Sequence, residues 1–222
     1  MKRSRINDIM EDAEQIMHKA GFRLPPFAYW TPEQFHEWAT PEIIDARLGW
    51  DITDYGQGHF DQLGLFLFTL RNGNLADLKS GGGKVYAEKL LISKAGQISP
   101  MHTHRVKTED IINREGGTLV VKLCGSDENG GIDRNKGVRV NCDGIWREVG
   151  PGETIHLLPG ESVTLKPGDW HEFWAQGATC LIGEVSTVND DLTDNIFADP
   201  IGRFPTIEED APARHLLVSD YS

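Results

Sequence analysis

Between Gly96 and Gly116 the chain places His102, His104 and Glu109 within eight residues of one another, and no other stretch limits the fold so sharply. His102 and His104 are two residues apart, so on a β-strand both side chains fall on the same face. Glu109 follows closely enough for a turn to bring its carboxylate alongside. Three ligands from one hairpin hold a divalent metal and leave coordination positions open for a substrate. The segment therefore asks for a strand, a turn and a second strand, with imidazoles and carboxylate facing inward.

The surrounding chain has the same texture. Residues 65–70, 85–93, 117–123, 153–158, 162–166 and 179–186 each read as a short strand, separated by glycine-rich turns. Many short strands with turn signals and no helices between them predict an antiparallel sandwich or barrel. Gly81-Gly82-Gly83 reads as a turn, because no Gly-Lys-Ser/Thr follows to make it a phosphate loop. Residues 125–150, rich in Gly, Asn and Asp, are expected to form an inserted hairpin.

The first quarter differs. Residues 3–20 carry Ile6, Ile9, Met10, Ala13, Ile16 and Met17 on one helical face, and Gly21 ends the run. Thr31, Pro32 and Gln34 spell a capping box with proline at the first helical position, so a second helix begins there. Phe35, Trp38 and Ala39 are expected to face the core. A third, short helix starts near Pro41 and holds Ile43, Ile44 and Ala46. The expected organisation is a helical extension over 1–64, a barrel over 65–188, and a C-terminal segment over 189–222 that packs on the barrel. Aromatic and proline residues in that last segment argue against disorder.

Composition excludes several classes of partner. The net charge of −12 argues against nucleic acid and anionic membranes, and favours a neutral sugar or small polar substrate. Cys124, Cys142 and Cys180 are odd in number, far apart and outside any Cys-x-x-Cys, which suggests free thiols in a reducing compartment. Asp8, Glu11, Asp12 and Glu14 interrupt any signal-like apolar stretch, and no run approaches transmembrane length. A cytoplasmic enzyme is expected.

The spacing Gly96, His102-x-His104, Glu109, Gly116 resembles the first cupin motif, and Gly160 with Pro167-Gly168-Asp169-Trp170-His171 resembles the second. Ala175 stands where a cupin often has Asn, which is not a ligand in that family. The resemblance implies a mainly β cupin jelly-roll barrel with an α-helical N-terminal extension, and adds His171 as the fourth ligand beside His102, His104 and Glu109. The other histidines (His18, His36, His59, His156 and His215) read as surface or packing residues. Three neutral imidazoles and one carboxylate, without thiolates, make a borderline-to-hard site, for which Mn²⁺ is the first choice among Fe²⁺, Co²⁺, Ni²⁺ and Zn²⁺.

Further segments narrow the resemblance. His102-Thr-His-x-x-Lys107-Thr-Glu-Asp-Ile, Gly168-Asp-Trp-His-Glu-Phe-Trp, Gly183-Glu-Val-Ser-Thr-Val-Asn-Asp-Asp-Leu-Thr-Asp-Asn and Arg203-Phe-Pro are similar to the D-lyxose isomerases. That family implies a manganese-dependent homodimer that interconverts D-lyxose with D-xylulose and D-mannose with D-fructose. Lys89 and Glu184 interrupt apolar strands, where a charge is expensive unless paired or placed at a site; the alternative for each is a solvent-facing position. Aldose–ketose isomerisation moves a proton between C1 and C2 through an enediol, or a hydride between them, and a metal stabilises charge on the sugar oxygens. Glu184 is the candidate base for the enediol route. Lys107 and Lys89 are candidates to hydrogen-bond the sugar hydroxyls or the enediolate, with Glu109 beside them at the metal. Asp194 and Arg203 are candidates for binding the far end of the sugar or closing the site. A cupin dioxygenase using Fe²⁺, a cupin phosphoglucose isomerase and a non-catalytic sugar- or metal-binding cupin are the alternatives; Lys89, Lys107 and Glu184 favour a polyol over an apolar substrate, and no basic cluster offers a phosphate cradle.

Overall fold

The structure, a computed structural model, describes residues 1–221. Four helices, α1 (Arg3–Lys19), α2 (Pro32–Trp38), α3 (Pro41–Asp45) and α4 (Leu75–Ser80), accompany twelve strands. The strands are β1 (Gly49–Thr53), β2 (Leu65–Arg71), β3 (Tyr86–Ser93), β4 (Ile98–His104), β5 (Glu109–Ser126) and β6 (Ile132–Asp133). They continue as β7 (Val138–Cys142), β8 (Ile145–Val149), β9 (Thr154–Leu157), β10 (Ser162–Leu165), β11 (Trp170–Thr187) and β12 (Asn195–Phe197). The ladders between these strands are antiparallel, and β1-β2-β3-β11-β5-β10-β7-β8 follow one another across the sheet, with β4 on β11 and β12 on β4. The mainly β fold with N-terminal helices matches the expectation from sequence.

Period-two alternation explains the layering. On β2, Leu65 and Leu67 point into the barrel core while Phe66 and Phe68 point outward, against the helices. On β3, Leu91 faces the barrel and Leu90 and Ile92 face the helical layer. Both faces are covered, so these strands read as unbroken apolar runs rather than as alternating ones. The outer layer is closed by Ile6, Ile9, Met10, Ala13 and Met17 of α1, the stripe expected from the sequence.

Strand β11 switches phase. Phe173 and Ala175 face the barrel core, and so do Cys180 and Ile182, which are of opposite parity. The ladder with β5 is irregular between Gln176 and Cys180 and again between Leu181 and Ile182. Without that shift, His171 and Glu184 would point to opposite sides of the sheet. Gly116 sits opposite Cys180 at this crossing with φ +105, and a β-carbon there would collide with the carbonyl oxygen of Thr179. Gly116→Ala is therefore expected to cost at least about 2 kcal/mol of stability, because strain in φ and a backbone clash add. Urea unfolding of the variant checks this.

Three features differ from the expectations. The sheet begins before residue 65: Gly49–Thr53 forms β1, paired with β2 and buried along its whole length, because Trp50 and Ile52 fill the layer under α1. Trp38 is 46% exposed rather than in the core, since α2 is short and buries only Phe35, which stacks on Tyr221. A short helix precedes the glycine triplet: α4 is capped by Asn74 and ends on left-handed Gly81, and the triplet then turns as expected. The inserted hairpin is β7–β8, and the C-terminal segment contributes β12.

Candidate metal centre

Three strands deliver the four expected ligands. β4 carries His102 and His104, β5 begins with Glu109, and β11 sets His171 directly opposite His102. Their ligating atoms all lie within 4.8 Å of one another, and among the described residues no other such cluster of His, Cys, Asp or Glu forms. Four donors at about 2.0–2.2 Å from a common ion would stand roughly 3–4.4 Å apart.

The hydrogen bonds behind the rings orient the lone pairs inward. His102 Nδ1 lies 2.7 Å from the Pro100 carbonyl oxygen, and His171 Nδ1 lies 3.0 Å from that of Asp169. A carbonyl only accepts, so both Nδ1 atoms carry the proton and both Nε2 atoms present a lone pair to the centre. His171 Nε2 is buried with no hydrogen-bond partner, and Glu109 Oε1 stands 3.2 Å from it and 3.2 Å from His104 Nε2. Converging lone pairs around one carboxylate are what a divalent cation satisfies, so these residues fit a metal site.

Electrostatics keep the set in its ligating state. Burial, then the neighbouring His171 and His104, hold the His102 imidazole well below its ordinary value. Burial alone would raise Glu109, but the charges of Lys107 and His104 outweigh it and hold the carboxyl well below the usual range. The sign for pH follows: between the depressed value of His102 and the ordinary ~6.5 of an unfolded histidine, the unfolded chain binds more protons. The thermal midpoint of metal-depleted protein is expected to fall as pH drops through that window, with a shallower slope in His102→Gln; calorimetric melting across pH checks it.

A row of buried, alternating charges extends from the ligands. Glu109 Oε2 lies 2.6 Å from Lys107 Nζ, which lies 2.8 Å from Glu184 Oε1. Lys89 Nζ follows at 3.5 Å from Glu184 and 3.7 Å from Asp191, and Arg203 bridges Asp191 at 3.4 Å and Asp51 at 2.6 Å. Four carboxylates and three cations leave one negative charge on the row, which suits an adjoining cation. The ladder creates the row locally, since Glu184 and Lys89 are cross-strand partners on β11 and β3. Burial works to lower Lys107, but Glu109 and Glu184 outweigh it and hold the ammonium above its ordinary range.

Glu109, Lys107, Glu184, Lys89, Asp191 and Arg203 line one cavity with His102 and His104, and Leu65, Leu67, Leu91, Ile111, Phe173, Tyr55 and Phe197 complete its lining. Lys89, Lys107 and Glu184, expected at the site, are all within it and all buried, so the solvent-facing alternative for Lys89 and Glu184 does not hold. Glu184 lies among ammonium groups rather than in the apolar setting its strand suggested. Arg203 also reaches the cavity. Asp194 does not line it: its carboxylate accepts backbone N–H groups of the β4–β5 turn. Of the remaining histidines, His215 stacks on Trp50, while His156 is exposed on β9.

Sequence reasoning missed Asp191, Asp51 and Tyr55. Asp51 carried the signal that exposed Lys89 and Glu184, a charge between Trp50 and Ile52 in a strand, but β1 itself went unread. Tyr55 has φ +54, hydrogen-bonds Ser99 through its hydroxyl at 3.1 Å, and is pushed up to about 12 by burial. Nothing in its local sequence marks it.

Comparison with known proteins agrees with this geometry. The family model described as D-lyxose isomerase matches residues 1–221. A D-lyxose/D-mannose isomerase of Escherichia coli O157:H7 is 42% identical over 226 residues, covering 100% of this chain and 98% of the relative. A D-lyxose/D-mannose isomerase of Serratia proteamaculans is 42% identical over 230 residues, with the same coverage. Among solved structures, an L-ribose isomerase of Cellulomonas parahominis with L-psicose superposes with a TM-score of 0.63 at 16% identity, covering 94% of this chain and 98% of that one. L-ribose isomerase of Geodermatophilus obscurus gives 0.63 at 15% identity with the same coverage. At these identities the structural likeness establishes the fold.

Proposed function

The chain belongs to the D-lyxose isomerase family, and from that premise we propose that it is a metal-dependent aldose–ketose isomerase converting D-lyxose to D-xylulose and D-mannose to D-fructose. The observation that carries this reading is the contact between the four-ligand cluster and the buried Lys107–Glu184 pair. Residues that would hold a Lewis acid stand beside a buried carboxylate–ammonium pair.

His102, His104, Glu109 and His171 would hold the ion. A divalent ion bound there supplies stabilisation of negative charge on the sugar oxygens. Mn²⁺ is the ion this reading favours, because three imidazoles and one carboxylate suit an octahedral site that accepts oxygen ligands. Glu184 takes the proton from C2 of the aldose and returns it to C1, while the hydroxyl proton of O2 passes to O1, so each carbon and each oxygen exchange one proton and nothing is gained or lost overall. Lys107 has three N–H donors and gives two to Glu109 and Glu184; the third hydrogen-bonds the oxygen on which charge develops. Lys89, held by Asn189 at 2.6 Å, restrains Glu184 from its other side and reaches a sugar hydroxyl. Arg203, fixed by Asp51 and Asp191, binds the far end of the sugar. The apolar wall excludes water from the enediol. A homodimer, supported by the family resemblance, in the cytoplasm, supported by three buried, free thiols, completes the reading.

The test is a panel of pentoses and hexoses incubated with metal-depleted protein and Mn²⁺. D-xylulose from D-lyxose, abolished by chelator and restored by Mn²⁺, is the expected result. No ketose from any aldose with any first-row divalent ion, together with oxygen uptake on another substrate, would favour a dioxygenase instead. Metal binding without turnover would leave a sugar-binding cupin.

A further inference from the structure

We infer that Asp194 is a positioning residue that sets His104 and Lys107 in place together, rather than a contact to the sugar. The turn from β4 to β5 has a demanding task. It begins at a metal ligand, His104, ends at another, Glu109, and carries Lys107 between them. Its far end is tied at Thr108, whose N–H donates to Thr187 Oγ1 at 3.2 Å, but Val106 at its tip is exposed.

Asp194 supplies the missing restraint from the other end of the chain. Its Oδ1 accepts the backbone N–H of Arg105 at 2.9 Å and of Val106 at 2.7 Å, and its Oδ2 accepts that of Lys107 at 3.1 Å. Its own backbone carbonyl accepts the N–H of Arg105 at 3.1 Å. Three successive amides converging on one buried carboxylate form an anion-binding concavity, here filled by a side chain instead of a ligand. The same Oδ2 lies 3.7 Å from His104 Nδ1, a buried atom with no hydrogen-bond partner. A negative charge on that side of the ring favours a proton on Nδ1, which leaves the Nε2 lone pair for the metal. The next residue, Asn195, pairs with His104 in the β4–β12 ladder, so the carboxylate is held in register with the ligand it faces.

The inference makes one residue responsible for two functions, ligand orientation and the placing of the Lys107 ammonium. Its kinetic part rests on the isomerase reading; its metal-binding part does not. Asp194→Asn keeps the shape and one accepting oxygen but removes the charge. In the full-length, metal-depleted protein titrated calorimetrically with Mn²⁺ alone, affinity is expected to fall by about 10–100-fold, the usual effect of losing an outer partner of a ligand. At saturating Mn²⁺ the variant should lose kcat on D-lyxose with KM unchanged. Amide exchange gives a third reading: Arg105, Val106 and Lys107 should be protected in wild type and lose protection in Asp194→Asn. Unchanged Mn²⁺ affinity with a raised KM would overturn the inference and make Asp194 a sugar contact. Fast exchange of the three amides in the wild type would overturn it even if the variant failed to fold. A wild type that binds Mn²⁺ but turns over no aldose would defeat the isomerase reading and leave the calorimetric test standing.

Discussion

Glu184→Gln should lower kcat by about 10²–10⁴-fold while leaving Mn²⁺ content near that of the wild type. The side chain is not among the four ligands, yet it lies 2.8 Å from Lys107, which touches Glu109 at 2.6 Å. Glutamine fills the same volume and still hydrogen-bonds Lys107, so folding and sugar affinity should persist. It cannot take a proton from carbon. Through an enediol, product formed in deuterated water by the wild type should carry deuterium at the transferred position. A near-normal kcat in Glu184→Gln would assign the base elsewhere, and product free of solvent deuterium would point to hydride transfer or a shielded proton. The variant has a second consequence. Removing the charge leaves Lys107 with one carboxylate neighbour and Lys89 with Asp191, so the buried row loses its one net negative charge beside the metal site and becomes neutral. Any change in Mn²⁺ affinity should therefore be a weakening.

His171→Ala should remove metal and activity together, by more than the 10–100-fold typical of losing an outer partner. The ring arrives from a different strand than the His102–His104 pair and opposes His102 across the β4–β11 ladder. Its loss opens one side of the cluster and leaves Glu109 with two imidazoles. The same replacement at His104 should behave alike, since His104 Nε2 shares Glu109 Oε1 with His171 Nε2. Metal analysis of the purified variants decides it; full occupancy in both would mean that the ion binds elsewhere.

The candidate ligands His102, His104 and Glu109 and the fold class were legible because both depend on short-range pattern, whereas His171 came only with the resemblance to the second cupin motif. A His-x-His pair in a strand declares its own geometry, and alternation of apolar residues declares the sheet. Lys89 and Glu184 were legible for a different reason: a charge in an apolar strand must be paired, and here each is the other's cross-strand partner. Long-range placement was not legible. Asp51 and Asp191 lie far apart in sequence and meet only through Arg203, and the roles of the C-terminal segment depend on β12 pairing with β4. The phase switch in β11 was equally hidden. The sequence reading starts the strand only at Thr179, and nothing in Gln176-Gly177-Ala178-Thr179 tells that one strand runs through it with an irregularity that brings His171 and Glu184 to one side. Asp194 illustrates the limit most plainly, since the sequence offers it as a sugar contact or a closing residue while three backbone amides occupy its carboxylate.

The most direct measurement is a Mn²⁺ titration of the metal-depleted enzyme, following D-xylulose formation from D-lyxose and bound metal in the same samples. Activity rising in proportion to bound Mn²⁺ and reaching its plateau at one ion per chain is the predicted result, with His171→Ala inactive at the same added Mn²⁺. Ketose formation that persists in the metal-depleted enzyme, or one bound ion per chain without any ketose from D-lyxose, would contradict a metal-dependent isomerase built on His102, His104, Glu109 and His171.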